Sequence, residues 1–151
     1  MDYLAPEIVD HKPYDSTVDN WCIGILTYEF LCGYPPFESK NKEETYERIR
    51  TLDLRFPPHV SEEAEDFIRK LLVLDPKGRM LLKDALNHPW IKKYEAWAVS
   101  ESLFAHKQFP STEVALIPGM AKKAKQQHTI QKVLSKAAKS KAFFHRCRHH
   151  S

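Results

Sequence analysis

Residues 16–33 read Ser-Thr-Val-Asp-Asn-Trp-Cys-Ile-Gly-Ile-Leu-Thr-Tyr-Glu-Phe-Leu-Cys-Gly. Trp21, Cys22, Ile23, Ile25, Leu26, Tyr28, Phe30 and Leu31 fall on every side of a 3.6-residue helix. A surface helix would keep one polar face, so the pattern predicts a helix over 17–32 that is buried all round. Ser16 is placed to cap it, and Asp19, three residues on, stands where a capping box wants an acid. Gly33 and then Pro35-Pro36 end it. A helix that buries every face needs other elements around it.

Downstream, the sequence supplies them. Asn41 caps a helix over about 42–51, with Glu44 in the box position and Tyr46 and Ile49 on one face. Phe56-Pro57-Pro58 reads as an extended connector. Ser61 caps a third helix, and Ala64, Phe67, Ile68, Leu71 and Leu72 keep the i, i+3, i+4, i+7, i+8 spacing of a core-facing stripe. Asp75-Pro76-Lys77-Gly78 turns the chain. A short helix over about 82–87 follows and is closed by His88-Pro89. No segment alternates as a strand does, so the expected fold is mainly α. Trp21, Phe37 and Trp90 read as core packing, Cys22 and Cys32 as small buried side chains.

The charge divides the chain. Residues 1–97 carry 13 Lys/Arg against 18 Asp/Glu, and residues 98–151 carry 10 against 2. This predicts a folded acidic domain over 1–97 and a basic tail over 98–151 that is partly helical or disordered. Within the tail, Ile130, Val133, Leu134, Ala137 and Ala138 make a narrow apolar stripe on a lysine-rich helix. Its cations suit nucleic acid or an acidic membrane surface, or simply solvent. Cys147 with His145, His149 and His150 lacks the second cysteine of a common zinc pattern. His11, His59 and His88 show no ligand spacing. Three cysteines with no paired spacing suit a reducing, intracellular compartment, and neither a signal peptide nor a membrane span is legible.

Four short motifs, in order, carry a resemblance. Ala5-Pro6-Glu7 is similar to the A-P-E that closes a protein kinase activation segment. Asp19-Asn20-Trp21-Cys22-Ile23-Gly24 resembles the D-x-W-S-x-G opening of the central large-lobe helix, with Cys22 for the usual Ser. Gly33-Tyr34-Pro35-Pro36-Phe37 resembles the turn that follows it. Asp75-Pro76-Lys77-Gly78-Arg79 and His88-Pro89-Trp90-Ile91 resemble the end of the kinase fold. Over about residues 2–94 the chain therefore resembles the lower half of the large lobe of a protein Ser/Thr kinase. Tyr28–Gly33, Pro35–Glu38, Glu44–Ile49 and Phe56-Pro57 look most like the Aurora family.

The resemblance implies several things. The family transfers the ATP γ-phosphate to protein hydroxyls with magnesium. Its Gly-rich loop, strand lysine, H-R-D and D-F-G motifs occur nowhere in these residues, and 151 residues fall short of two lobes. The expectation is no catalytic residue, no cofactor or metal site in this chain, and no activity by itself. Glu7 and Arg79 are expected to form a structural ion pair. Asp19, which in the family meets the catalytic loop, is expected to serve with Ser16 as a helix cap. Asp2, Tyr3 and Leu4 resemble the remnant of a substrate-receiving loop. With few elements to cover it, the central helix is expected to expose a flank and to need a protein partner. An Aurora-like chain would sit in the nucleus or at the spindle or centrosome. The alternative is a non-enzymatic kinase-like binding module or decoy with a basic interaction tail.

Overall fold

A computed structural model of the chain describes residues 3–93 and Ile130. Its elements in chain order are α1 (Pro6–Val9), α2 (Thr17–Cys32), α3 (Lys42–Thr51), α4 (Glu62–Leu71), a 3-10 turn (Pro76–Gly78) and α5 (Leu82–Ala85). Residues 89–93 are helical as well. Among the described residues there is no strand, and the fold is mainly α. No helix there is long and apolar enough to cross a membrane.

The long helix α2 is the axis on which the rest is hung. It packs against α4 and the 3-10 turn, while α1 packs against α3. Trp21, Ile23, Ile25 and Tyr28 of α2 are buried together with Phe37, Ile49, Phe67, Ile68, Leu71, Leu72, Trp90 and Ile91. Gly24 lets α4 approach. A Cβ at that position would lie 2.6 Å from Leu72 Cδ2 and 3.1 Å from Leu71 Cβ, closer than carbon atoms tolerate. Trp21 stacks on Phe37 at 5.7 Å between ring centroids, which folds the turn after α2 back onto the helix. Phe67 meets Trp90 at 5.1 Å and closes the far end of the core.

Local chemistry sets the helix ends. The Asn41 side chain accepts from Glu44 N at 2.8 Å, and the Ser61 hydroxyl accepts from Ala64 N at 3.4 Å. Gly33 closes α2 in the left-handed region at φ 89°. Leu52 does the same for α3 at φ 51°, with Asp53 N bonded to Arg48 O and Leu52 N to Ile49 O, the paired bonds of a Schellman ending.

Two expectations change. Ser16 does not cap α2: it is already in the helical region at φ −65°, ψ −12°, and its side chain makes no capping bond. Asp15 takes the part instead, its carboxylate accepting from Thr17 N at 2.8 Å and Thr17 Oγ1 at 2.6 Å. A charged acceptor two residues before an exposed amide outcompetes a neutral hydroxyl. In α2, residues 18–25 with Thr27 and Tyr28 are buried, while Leu26, Phe30, Leu31 and Cys32 are half-buried. The large apolar side chains most open to solvent among the described residues are Tyr14, Tyr34, Leu74 and Leu81. Second, Pro89 does more than stop α5. It stands at the start of the next helical stretch, where a missing N–H costs nothing.

Candidate functional site

The A-P-E segment and the turn after α4 meet at one buried point. Asp75 accepts from Lys77 N at 3.0 Å and starts the 3-10 turn. That turn aims Arg79 back into the body, where its side chain is fully buried and Glu7 is 5% exposed. Arg79 Nη1 donates to Glu7 Oε1 at 2.7 Å and Nη2 donates to Oε2 at 2.7 Å, a two-pronged pair. The remaining guanidinium donors reach backbone oxygens: Nε to Val73 O at 2.9 Å, Nη1 to Thr17 O at 3.1 Å and Nη2 to Leu74 O at 3.4 Å. All five N–H groups of Arg79 are thereby used. The guanidinium also lies over the Trp21 ring, 5.2 Å from its centroid. One side chain thus binds α1, the start of α2 and the end of α4.

The residues before α1 lie against α2. The Tyr3 hydroxyl donates to the Glu29 carboxylate, and Cys22 Sγ approaches Tyr3 O at 3.6 Å. Tyr3 and Leu4 are half-buried against the core, and Asp2 lies outside the described residues. Asp19 is buried, 5% exposed. Asn20, beside it, donates to Met80 O at 3.0 Å and ties α2 to the strand of chain leaving Arg79.

Three further polar centres carry no sequence signal, because their partners are distant along the chain. Arg48 of α3 donates to Glu38 O at 2.6 Å and Pro36 O at 3.0 Å, and pairs with Asp53 at 3.2 Å. It pins the turn that follows α2. Tyr28 donates to Arg55 O at 2.7 Å, and burial pushes its phenol pKa up. His88 accepts from Trp90 N at Nδ1, 3.3 Å, so its proton sits on Nε2 and is donated to Asp66 at 2.9 Å. Lys70, hydrogen-bonded to Asp66 at 2.6 Å, is the main cause that holds that carboxyl below its ordinary range.

Among the described residues, no three His, Cys, Asp or Glu side chains stand together as a metal centre requires. The arrangement holds helices and a loop in place.

The protein kinase domain family model matches residues 1–91. The chain belongs to the protein kinase family. Within it, the sequence is most like Aurora kinases. It is 59% identical over 92 residues to an Aurora kinase of Yarrowia lipolytica, covering 60% of this chain and 25% of that protein. Against an Aurora kinase of Encephalitozoon cuniculi the identity is 54% over 96 residues, covering 62% and 35%. Against Aurora kinase C of Mus musculus it is 50% over 94 residues, covering 62% and 34%. The chain thus spans between a quarter and about a third of the length of these curated relatives. Kinases of this family use ATP and magnesium. Among the described residues this domain is helical.

Proposed function

We propose that these residues are the helical foundation of an Aurora-like protein Ser/Thr kinase, and that they do not transfer phosphate by themselves. The observation that carries the reading is the buried Glu7–Arg79 pair. It fastens the end of the activation segment to the body through two parallel hydrogen bonds of 2.7 Å. Such a fastening suits the positioning of a substrate loop, and its one carboxylate has both oxygens engaged by Arg79. Phosphoryl transfer is catalysed by positioning together with metal and lysine charge. Tyr3, held to α2 through Glu29 and Cys22, and Leu4 beside it are the residues that the resemblance assigns to the end of that loop.

The test is phosphate transfer and nucleotide binding. The purified chain with radiolabelled ATP and magnesium should label no protein acceptor above background, and calorimetry should find no ATP affinity in the micromolar range. Labelling that persists after repurification overturns the reading.

The alternative reading, a kinase-like module that binds without catalysis, draws support from the apolar core that α2 shares with α4, Phe37 and Trp90. The coding sequence upstream of Met1 separates the two. An in-frame continuation carrying H-R-D and D-F-G makes these residues part of a working kinase. A stop codon with a functional promoter favours the module. Imaging of the tagged chain in dividing cells tests the placement at nucleus, spindle or centrosome.

A further inference from the structure

Ile130 belongs to the basic tail, with 36 residues between it and Lys93. It is helical and only 2% exposed, and it falls in the same apolar cluster as Trp21, Ile25, Phe67 and Trp90. An isoleucine on a solvated lysine-rich helix would not be dry. Burying it removes most of the side chain's apolar area from water, a gain that a free tail does not collect. From these observations we infer that the tail segment around Ile130 docks on the helical body of its own chain and completes its core.

Two further facts favour this occupant. The body over 1–97 is acidic, with 13 Lys/Arg against 18 Asp/Glu, and the segment beyond 98 is basic, with 10 against 2. Opposite net charges favour the encounter and fix its sense. The reach is also sufficient. A flexible connection of this length spans about 33 Å on average, and a body of this size is about 25–30 Å across. A tethered segment then has an effective concentration of roughly millimolar. A second copy in dilute solution, at micromolar concentration, would be at about a thousandfold disadvantage for the same surface.

The test uses the full chain. Ile130→Asp should lower the melting temperature by at least about 5 °C and raise the fluorescence of a hydrophobic dye several-fold. Lys132→Gln, which makes the same unit change in charge off the stripe, should alter neither. Should Ile130→Asp not fold, amide hydrogen exchange on the unaltered chain decides. The amides around Ile130 should exchange about a hundredfold slower than in a free peptide of residues 120–144. The inference is overturned if Ile130→Asp melts and binds dye like the parent. It is equally overturned if the amides exchange as in the peptide. Protection that disappears on dilution, with a dimer in sedimentation, also overturns it, because the occupant is then a second copy.

Discussion

Arg79 and Glu7 show how much one buried pair can rest on geometry. Each is almost wholly out of water, and the guanidinium has a partner for every donor. Removing either partner strands the other charge in a dry site, at a cost of roughly 3–5 kcal/mol. Small domains have about 5–15 kcal/mol in total, so this is a large share. Arg79→Ala and Glu7→Gln should each lower the urea midpoint correspondingly. Arg79→Lys should restore less than half of the loss, because an ammonium offers three donors at one point where the fork offers five. A lysine variant as stable as the parent would show that charge alone matters there. Gly24 makes a second case at this scale. Alanine would ordinarily favour a helix by about 1 kcal/mol over glycine. Here the added methyl meets Leu72 at 2.6 Å, and Leu72 is itself 1% exposed, with no room to retreat. Gly24→Ala should therefore destabilise, by about 1–3 kcal/mol, measured by denaturant unfolding.

The ends of the helices can be argued element by element. α3 and α4 begin where a polar side chain is followed by acids and a spaced apolar face, and the capping bonds of Asn41 and Ser61 are there. For α2 the local signal misleads by one position. Ser16 is a good capping type, but Asp15 holds the Thr17 amide. Asp15→Ala should cost about 1 kcal/mol, as caps do, whereas Ser16→Ala should stay within about 0.5 kcal/mol. Thermal melts of the two variants distinguish them, and the reverse order would return the cap to Ser16. The one-turn helix α1 carries no periodic signal at all. Four residues are too few to show a period, and the chain leaves it through His11 at φ 54°, the left-handed region that histidine enters more readily than most side chains. What holds α1 is tertiary: Glu7 on Arg79, and Asp10 on Arg50 of α3 at 2.8 Å.

At the scale of the molecule, the carboxylates set the response to pH. Asp10 is held below its ordinary range by Arg50 first, Asp53 by Arg55 first, and Asp66 by Lys70 first. A carboxyl whose folded pKa is depressed stabilises the fold above its unfolded pKa, near about 4, and loses that contribution as pH falls through the folded value. These groups contribute a steady stability above about pH 5 and a decline below about pH 4. Urea midpoints measured from pH 3 to 8 should be flat in the upper range and fall at the acid end. A midpoint that rises on acidification would contradict the assignment. These pairs are solvent-exposed, so 0.5 M salt should shrink the decline.

The sequence by itself determined the helical class, the bounds of α2 and α3, the start of α4 and the kinase family. Those features depend on neighbours within about four residues, and spacing along the chain records such neighbours directly. The resemblance to kinases, rather than any spacing, implied that Glu7 and Arg79 belong together. Tertiary structure alone decided how they meet, across a separation of 72 residues, and which backbone oxygens take the other three donors. It also decided that Glu29 receives Tyr3 and that Ile130 is buried. Packing brings these groups together only after the helices exist, so no local pattern of residues can carry the information.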